Sequence, residues 1–182
     1  MEQHANRTVF LGRLDDRIAH LAAVTAMKIL WATLTLCILG WASTAQAAIP
    51  ASQRTVLTNL YSATNGASWT NQTNWNGAVG TECTWFGISC DATQSNVVAI
   101  NLFQNNLAGT LPALSGLPAL QAFNAYNNQL SGPIPALSGL TALKNFNANN
   151  SVQLNGSIPS LSGLTALQSF GAGNNKLTVS IP

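Results

Sequence analysis

The strongest constraint on the fold is an internal repeat of about 23 residues in the second half of the chain. An apolar residue followed by proline recurs at intervals of 23, 24 and 23 residues, and a leucine keeps the same intervals. A unit this short cannot enclose its own apolar side chains, so the units must stack on one another. The repeat therefore predicts a solenoid. The repeated positions are the pairs Leu111-Pro112, Ile134-Pro135, Ile158-Pro159 and Ile181-Pro182 and the leucines Leu107, Leu130, Leu154 and Leu177.

Within each unit, the consensus LxxLxxFxAxxNxLxGxIP indicates how the coil is built. Phe123 and Ala125 are two residues apart, which predicts a short strand with both side chains on its buried face. An asparagine follows where the chain must turn, and its amide can satisfy backbone groups that the turn leaves unpaired. We expect a structural ladder of Asn105, Asn128 and Asn175. The third unit has one extra residue, so its ladder position falls either to Ser151 or to Asn150 with a local bulge.

Charge is scarce, at 7% of the residues with a net charge of +2. From Ala48 onward the charged residues are only Arg54, Lys144, Lys176, Glu82 and Asp91, and both histidines lie upstream. Metal sites, acid–base catalysis and nucleic-acid binding each need clusters of such groups. We therefore expect no metal, no cofactor, no nucleic-acid partner and no enzymatic activity. A glycosidase using Glu82 and Asp91 as its carboxylate pair is the alternative.

The first 47 residues are typical of an export signal. Met27-Lys28 precedes an apolar run over residues 29–39, and Ala45-Gln46-Ala47 resembles a cleavage site. We predict a signal peptide over residues 27–47, cleaved after Ala47, and an upstream extension over residues 1–26 that is not translated if Met27 is the initiator. The apolar run is too short to span a bilayer, so no membrane span is expected after cleavage. The predicted location is secreted or at the cell surface.

Export also decides how the cysteines are interpreted. Cleavage removes Cys37 and leaves Cys83 and Cys90, an even pair that an oxidising compartment allows to form a disulfide. Two cysteines do not make a zinc site, and a reactive thiol would lack a histidine to activate it. We predict a Cys83–Cys90 disulfide.

The repeat resembles the plant-type leucine-rich repeats of extracellular proteins, with their L-x-G-x-I-P ending. The resemblance implies an α/β solenoid, a right-handed coil with one short-stranded parallel sheet, with about four repeats over residues 96–182 and no visible C-terminal cap. Residues 48–95 are similar to the N-terminal cap of this family, with a helix from Ser52 to Asn65 and the segment CTWFGISCD. The cap implies that Trp69, Trp75 and Trp85 pack in the core; the alternative is an aromatic cage for a sugar.

In this family the ligand usually lies on the concave face of the sheet. The pattern places Ile100, Phe123, Phe146 and Phe170 inward, and leaves an asparagine row and two aromatic residues outward. Such a face suits a neutral polar ligand, either a protein with an extended backbone or a polysaccharide. The alternative for these outward residues is that they are solvated strand residues copied by duplication. The alternatives for the function are an inhibitor of a secreted hydrolase and a truncated remnant or structural wall protein without a partner. The oligomeric state stays open. The candidate ligand-binding residues are Asn101, Phe103, Asn124, Tyr126, Asn147 and Asn149, flanked by an outward column of Ala99, Ala122, Asn145 and Ser169.

Overall fold

The computed structural model describes residues 48–178 of the 182-residue chain. The predicted upstream extension, signal peptide and Met27 start, and the last Ile181-Pro182 pair, lie outside the described residues. Among residues 48–178, no helix is long and apolar enough to cross a membrane.

One helix and nine short strands make up the described chain. Helix α1 spans Ala51–Ala63, and two 3₁₀ helices follow at Gly66–Ser68 and Glu82–Thr84. The strands are β1 (Ile88–Cys90), β2 (Val97–Asn101), β3 (Ala108–Thr110), β4 (Ala122–Asn124), β5 (Gln129–Pro133), β6 (Asn145–Asn147), β7 (Gln153–Ser157), β8 (Ser169–Gly171) and β9 (Lys176–Thr178).

The strands form two sheets that run along a solenoid of about four coils. The larger sheet has the order β1-β2-β4-β6-β8, and all its pairs are parallel except β1 with β2. The smaller sheet, β3-β5-β7-β9, is wholly parallel. The predicted parallel-sheet solenoid is therefore confirmed, and the structure adds a second sheet to the one expected. It forms because the segment around the leucine after each turn is also extended, as at Leu130 in β5 and Leu177 in β9.

Stacked phenylalanines and leucines fill the interior. Phe123 and Phe146 stack with ring centroids 5.2 Å apart, and Phe146 and Phe170 repeat that spacing. The leucines of the first three coils are almost wholly buried, as the spacing predicts. Phe170 and Leu177, in the last described coil, are only partly buried. Within residues 48–178 no further coil packs on them.

Aromatic side chains of the N-terminal segment belong to the same core as the side chains of the coils. Trp69, Trp75 and Trp85 are buried, with ring centroids 4.8 Å apart for the first pair and 5.0 Å for the second. Their indole N–H groups donate to the carbonyl oxygens of Thr64 and Phe86 and to the hydroxyl of Thr81. Buried indoles with satisfied N–H groups are core residues, so they do not form an open sugar cage. The predicted Cys83–Cys90 disulfide is present.

A buried ion pair fastens helix α1 to the loop before β1. The Glu82 side chain is 1% exposed and pairs with Arg54. The Gly80 N–H donates to the same carboxylate at 3.0 Å, and Arg54 also donates to the Gly77 carbonyl and lies over the Trp85 ring. With its charge paired and its oxygens hydrogen-bonded, Glu82 is a structural carboxylate.

Candidate functional site

The asparagine at the turn of each coil links it to its neighbours. The Asn128 amide oxygen accepts from the backbone N–H groups of Asn105 and Leu107, and its NH₂ group donates to the carbonyls of Leu102 and Ala125. Asn105 makes equivalent bonds to the backbone of Asn71 in the N-terminal segment. These asparagines hold the turns that lead from the strands of the larger sheet to those of the smaller sheet.

The extra residue of the third coil interrupts this ladder. Ser151 occupies the ladder position and is buried, whereas Asn150 lies at the surface with a left-handed backbone and donates to the Tyr126 hydroxyl. Val152 absorbs the insertion, also left-handed and 63% exposed. Asn175, on the fourth coil, donates to Ala148 and Ala172. Within residues 48–178, the Ser151 hydroxyl and the Asn175 amide oxygen are buried without a hydrogen-bond partner.

A shallow groove of about 500 Å³ lies on the outer face of the larger sheet. Every strand of that sheet contributes to it, and its lining contains no charged side chain. Its polar groups are amides and hydroxyls, which both donate and accept hydrogen bonds. The lining residues are Ser89, Ala99, Ile100, Asn101, Ala122, Phe123, Asn124, Asn145, Phe146, Asn147, Asn149, Ser169 and Gly171.

Four of the six candidate residues from the sequence line this groove, and they form two linked pairs. The Asn124 NH₂ group donates to the Asn101 oxygen at 3.0 Å. The Asn149 NH₂ group donates to the Asn147 oxygen at 2.8 Å, and the Asn149 oxygen accepts from the Gly173 N–H at 2.6 Å. The amides are thus held in fixed orientations by one another and by the backbone.

The two candidate aromatic residues are exposed but are not among the lining residues. Phe103 is 49% exposed and Tyr126 is 36% exposed. The Tyr126 backbone N–H donates to the Asn124 side-chain oxygen at 3.1 Å, so this tyrosine directly adjoins the groove.

Ser89 is a lining residue that the repeat pattern does not identify. It reaches the groove because β1 pairs antiparallel with β2, placing Ser89 opposite Ala99. Strand β1 is not part of a repeat, so the periodicity carries no information about it. The usable signal is the alternation in Ile88–Cys90, where Ile88 is buried and Ser89 is exposed.

At the far end of the groove, glycine replaces the outward side chains. A Cβ atom at Gly171 would lie 2.5 Å from the Asn149 side-chain nitrogen. The Asn149 amide therefore lies across a space that exists only because residue 171 is glycine.

The two carboxylates of the described chain have local partners and do not line the groove. Hydrogen bonds from the Asn96 side chain and from the Ser95 backbone N–H, in that order, lower the pKa of Asp91 from 3.8 to about 2. Glu82 is buried against Arg54. The groove can therefore orient a ligand by hydrogen bonding, but its lining holds no titratable group for proton transfer.

Comparison with known proteins finds similarity at the level of structure. No protein-family model matches the sequence, and no curated protein matches it. The chain superposes on a crystal structure of PEPR1-AtPEP1 with 26% identity and a TM-score of 0.63, covering 72% of this chain and 19% of that one.

Two Arabidopsis receptor kinases are also similar. The HAESA leucine-rich-repeat ectodomain, solved with an IDA peptide hormone ligand, is 31% identical with a TM-score of 0.59, over 71% of this chain and 22% of that one. The SOBIR1 ectodomain is 21% identical with a TM-score of 0.57, over 71% of this chain and 70% of that one. The chain thus spans about a fifth of the length of PEPR1 and HAESA. The described part of this protein has the leucine-rich-repeat solenoid fold of plant receptor ectodomains.

Proposed function

We propose that this protein is a secreted, non-enzymatic recognition module that binds a protein or a neutral polysaccharide through the groove on its larger sheet. The observation that carries the proposal is an uncharged groove along the coils in which Asn101, Asn124, Asn147 and Asn149 are held by hydrogen bonds. Side chains fixed before a ligand arrives lose little conformational entropy on binding.

Both the chemistry and the size of the groove support recognition. Its volume lies in the range of about 300 to 1,000 Å³ that is usual for ligand sites. Amide and hydroxyl groups match the peptide groups of an extended chain or the hydroxyls of a sugar. A phosphate or an acidic patch would find no cation in the lining.

The fold supports the same proposal. HAESA, which has this solenoid, is solved with a peptide hormone ligand. The disulfide is typical of an extracytoplasmic protein, in agreement with the predicted export signal. Four coils provide a small platform compared with the roughly 800 Å² per partner of an ordinary interface, so we expect modest affinity.

The experiment is a binding screen of the purified, oxidised protein against glycans, peptides and secreted proteins, including secreted hydrolases. The Asn124→Ala/Tyr126→Ala variant is screened in parallel, with Asn59→Ala, an exposed amide on helix α1, as the matched control. We expect saturable binding that the double variant loses and the control retains. The proposal would be contradicted if the double variant bound as tightly as the unaltered protein, or if the folded protein bound none of the ligands.

A further inference from the structure

The groove repeats with the period of the coils. The stacked rings beneath it are 5.2 Å apart at both steps, Phe123 to Phe146 and Phe146 to Phe170. Asn101, Asn124 and Asn147 are in register on β2, β4 and β6, directly after the inward residues Ile100, Phe123 and Phe146. The same amide is therefore presented on three consecutive coils along the solenoid axis, and Gly171 takes its place on the fourth.

A ligand uses such a surface fully only if its own groups repeat at about the same interval. An extended peptide advances about 3.3 Å per residue, so its groups fall out of step with coils whose stacked rings are 5.2 Å apart. A polyproline-type peptide advances about 3.1 Å per residue and has the same difficulty. In an unbranched β-1,4-linked chain the linking oxygens lie at opposite ends of each pyranose ring. Such a chain therefore advances by about the length of one ring per sugar, which is close to the 5.2 Å spacing of the coils.

Resting on the proposed function of the groove, we propose that its ligand is an unbranched, neutral β-1,4-linked glycan that lies along the solenoid axis with one sugar ring per coil. Successive rings of such a chain are turned over relative to one another, and each amide can meet the hydroxyl that its ring presents because an amide both donates and accepts hydrogen bonds. Asn101 and Asn147 accept hydrogen bonds through their side-chain oxygens, from Asn124 and Asn149. Within residues 48–178 their NH₂ groups donate to no acceptor, which leaves these donors for the ligand.

The surroundings of the amide row fit a sugar chain. Phe103 and Tyr126 occupy equivalent positions on consecutive coils, two residues after Asn101 and Asn124, and both expose ring surface on which the C–H face of a sugar can stack. The Tyr126 ring is fixed by the bond from Asn150 to its hydroxyl.

The charge of the groove selects a neutral glycan. The lining contains no cation that could pair with a uronic acid or a sulfate. Lys144, just before β6, donates to the Gln121 side-chain oxygen at 3.0 Å and is not a lining residue.

The test is calorimetric titration of the oxidised protein with cello-, xylo- and manno-oligosaccharides of increasing length, and with the α-linked malto-oligosaccharides as the matched series. At least one β-linked series should bind more tightly with each added sugar and stop improving at about three, the number of coils that present an amide of the row. Malto-oligosaccharides of the same length should bind at least about tenfold more weakly. Asn124→Ala and Phe103→Ala should each weaken binding about tenfold.

Two exposed residues away from the groove provide matched controls, Asn59→Ala for the amide and Val79→Ala for the aromatic side chain, and both should bind as the unaltered protein does. Absence of β-glycan binding by the folded protein, binding independent of chain length, or an equally tight malto series would overturn the glycan assignment. Saturable binding of a peptide or protein that Asn124→Ala/Tyr126→Ala abolishes would also overturn it, but would leave the groove as the recognition site.

Discussion

The side-chain oxygen of Asn128 accepts a hydrogen bond from the backbone N–H of Asn105, 3.0 Å away on the preceding coil. The same oxygen accepts from the Leu107 N–H at 2.9 Å, and the NH₂ group of Asn128 donates to two buried carbonyls. One side chain thus satisfies backbone groups of two coils. In the third coil the equivalent residue is Ser151, whose hydroxyl has no partner within the described chain.

Replacing these two residues by alanine should have very different effects. Asn128→Ala leaves buried backbone groups without partners and should lower the free energy of unfolding by about 3 kcal/mol. Ser151→Ala removes a group that makes no hydrogen bond and should change it by no more than about 0.5 kcal/mol. Urea unfolding of both variants measures the difference, and equal losses would contradict the ladder.

The ion pair between Arg54 and Glu82 should matter chiefly through the cost of breaking it. Arg54→Met leaves the Glu82 carboxylate buried without its counter-charge and should destabilise the protein by about 3 kcal/mol. The double variant Arg54→Met/Glu82→Gln removes the charge but keeps an acceptor for the Gly80 N–H, so it should recover part of that loss. Thermal unfolding compares the two, and a double variant no more stable than the single one would refute this account.

Reduction of the Cys83–Cys90 disulfide should weaken the fold without abolishing it. The bridge closes a short loop, with a sequence separation of 7, and loops of this size are associated with about 2 to 3 kcal/mol. Unfolding in the presence and absence of dithiothreitol measures the effect, with Cys83→Ser/Cys90→Ser as the non-reducible comparison. A midpoint that reductant leaves unchanged would show that the bridge contributes nothing.

Asp91 should make the free energy of unfolding decrease at low pH. Its pKa falls from 3.8 to about 2 on folding, because Asn96 and Ser95 donate hydrogen bonds to the ionised carboxylate. A lowered pKa contributes stability that is fully present above about pH 4 and is lost as the pH falls through about 2. NMR titration of the Asp91 carboxyl should show the low midpoint, and Asp91→Asn should reduce the acid dependence of the melting temperature. A midpoint near 3.8 would remove the basis for this expectation.

Two turn glycines offer a test that separates crowding from backbone strain. Gly132 and Gly163 both have a left-handed backbone, with φ of 73° and 83°. A Cβ at Gly132 would lie 2.8 Å from the Thr110 methyl carbon, whereas one at Gly163 would meet nothing within 4 Å. Gly163→Ala should cost about 1 kcal/mol of strain alone, and Gly132→Ala about 2 kcal/mol. Equal costs, measured by urea unfolding, would mean that Thr110 moves aside freely.

The periodic part of the structure could be predicted because each coil repeats the same physical problem. The column of Ile100, Phe123, Phe146 and Phe170 follows from apolar spacing alone, and the sheet places these residues in register. The antiparallel strand β1 could not be predicted in this way, because it occurs once and carries no period.

The third coil shows a different limit of the sequence. The local sequence allows either Asn150 or Ser151 to occupy the ladder position in the turn. The choice depends on Ala148 before the turn and Leu154 after it, which are both buried and so fix the path of the chain between them. The groove amides were predicted by alternation within the strands, but the bonds that link them depend on neighbouring coils and are visible only in three dimensions.

The extra residue at Val152 has a consequence for how the molecule opens. In a stack where each coil touches only its neighbours, stability is transmitted across each interface. Within the described residues, the buried side-chain atoms without a partner belong to Ser151 on the third coil and Asn175 on the fourth, so the interfaces of these two coils should be the weakest. We expect the fourth coil to detach as a separate unit, so that amide protons in β8 and β9 exchange with solvent before those in β2 and β4. The length of groove available to a ligand would then vary in time. The part on β2 and β4 would be formed permanently, whereas the part on β8 would become ordered when a ligand binds.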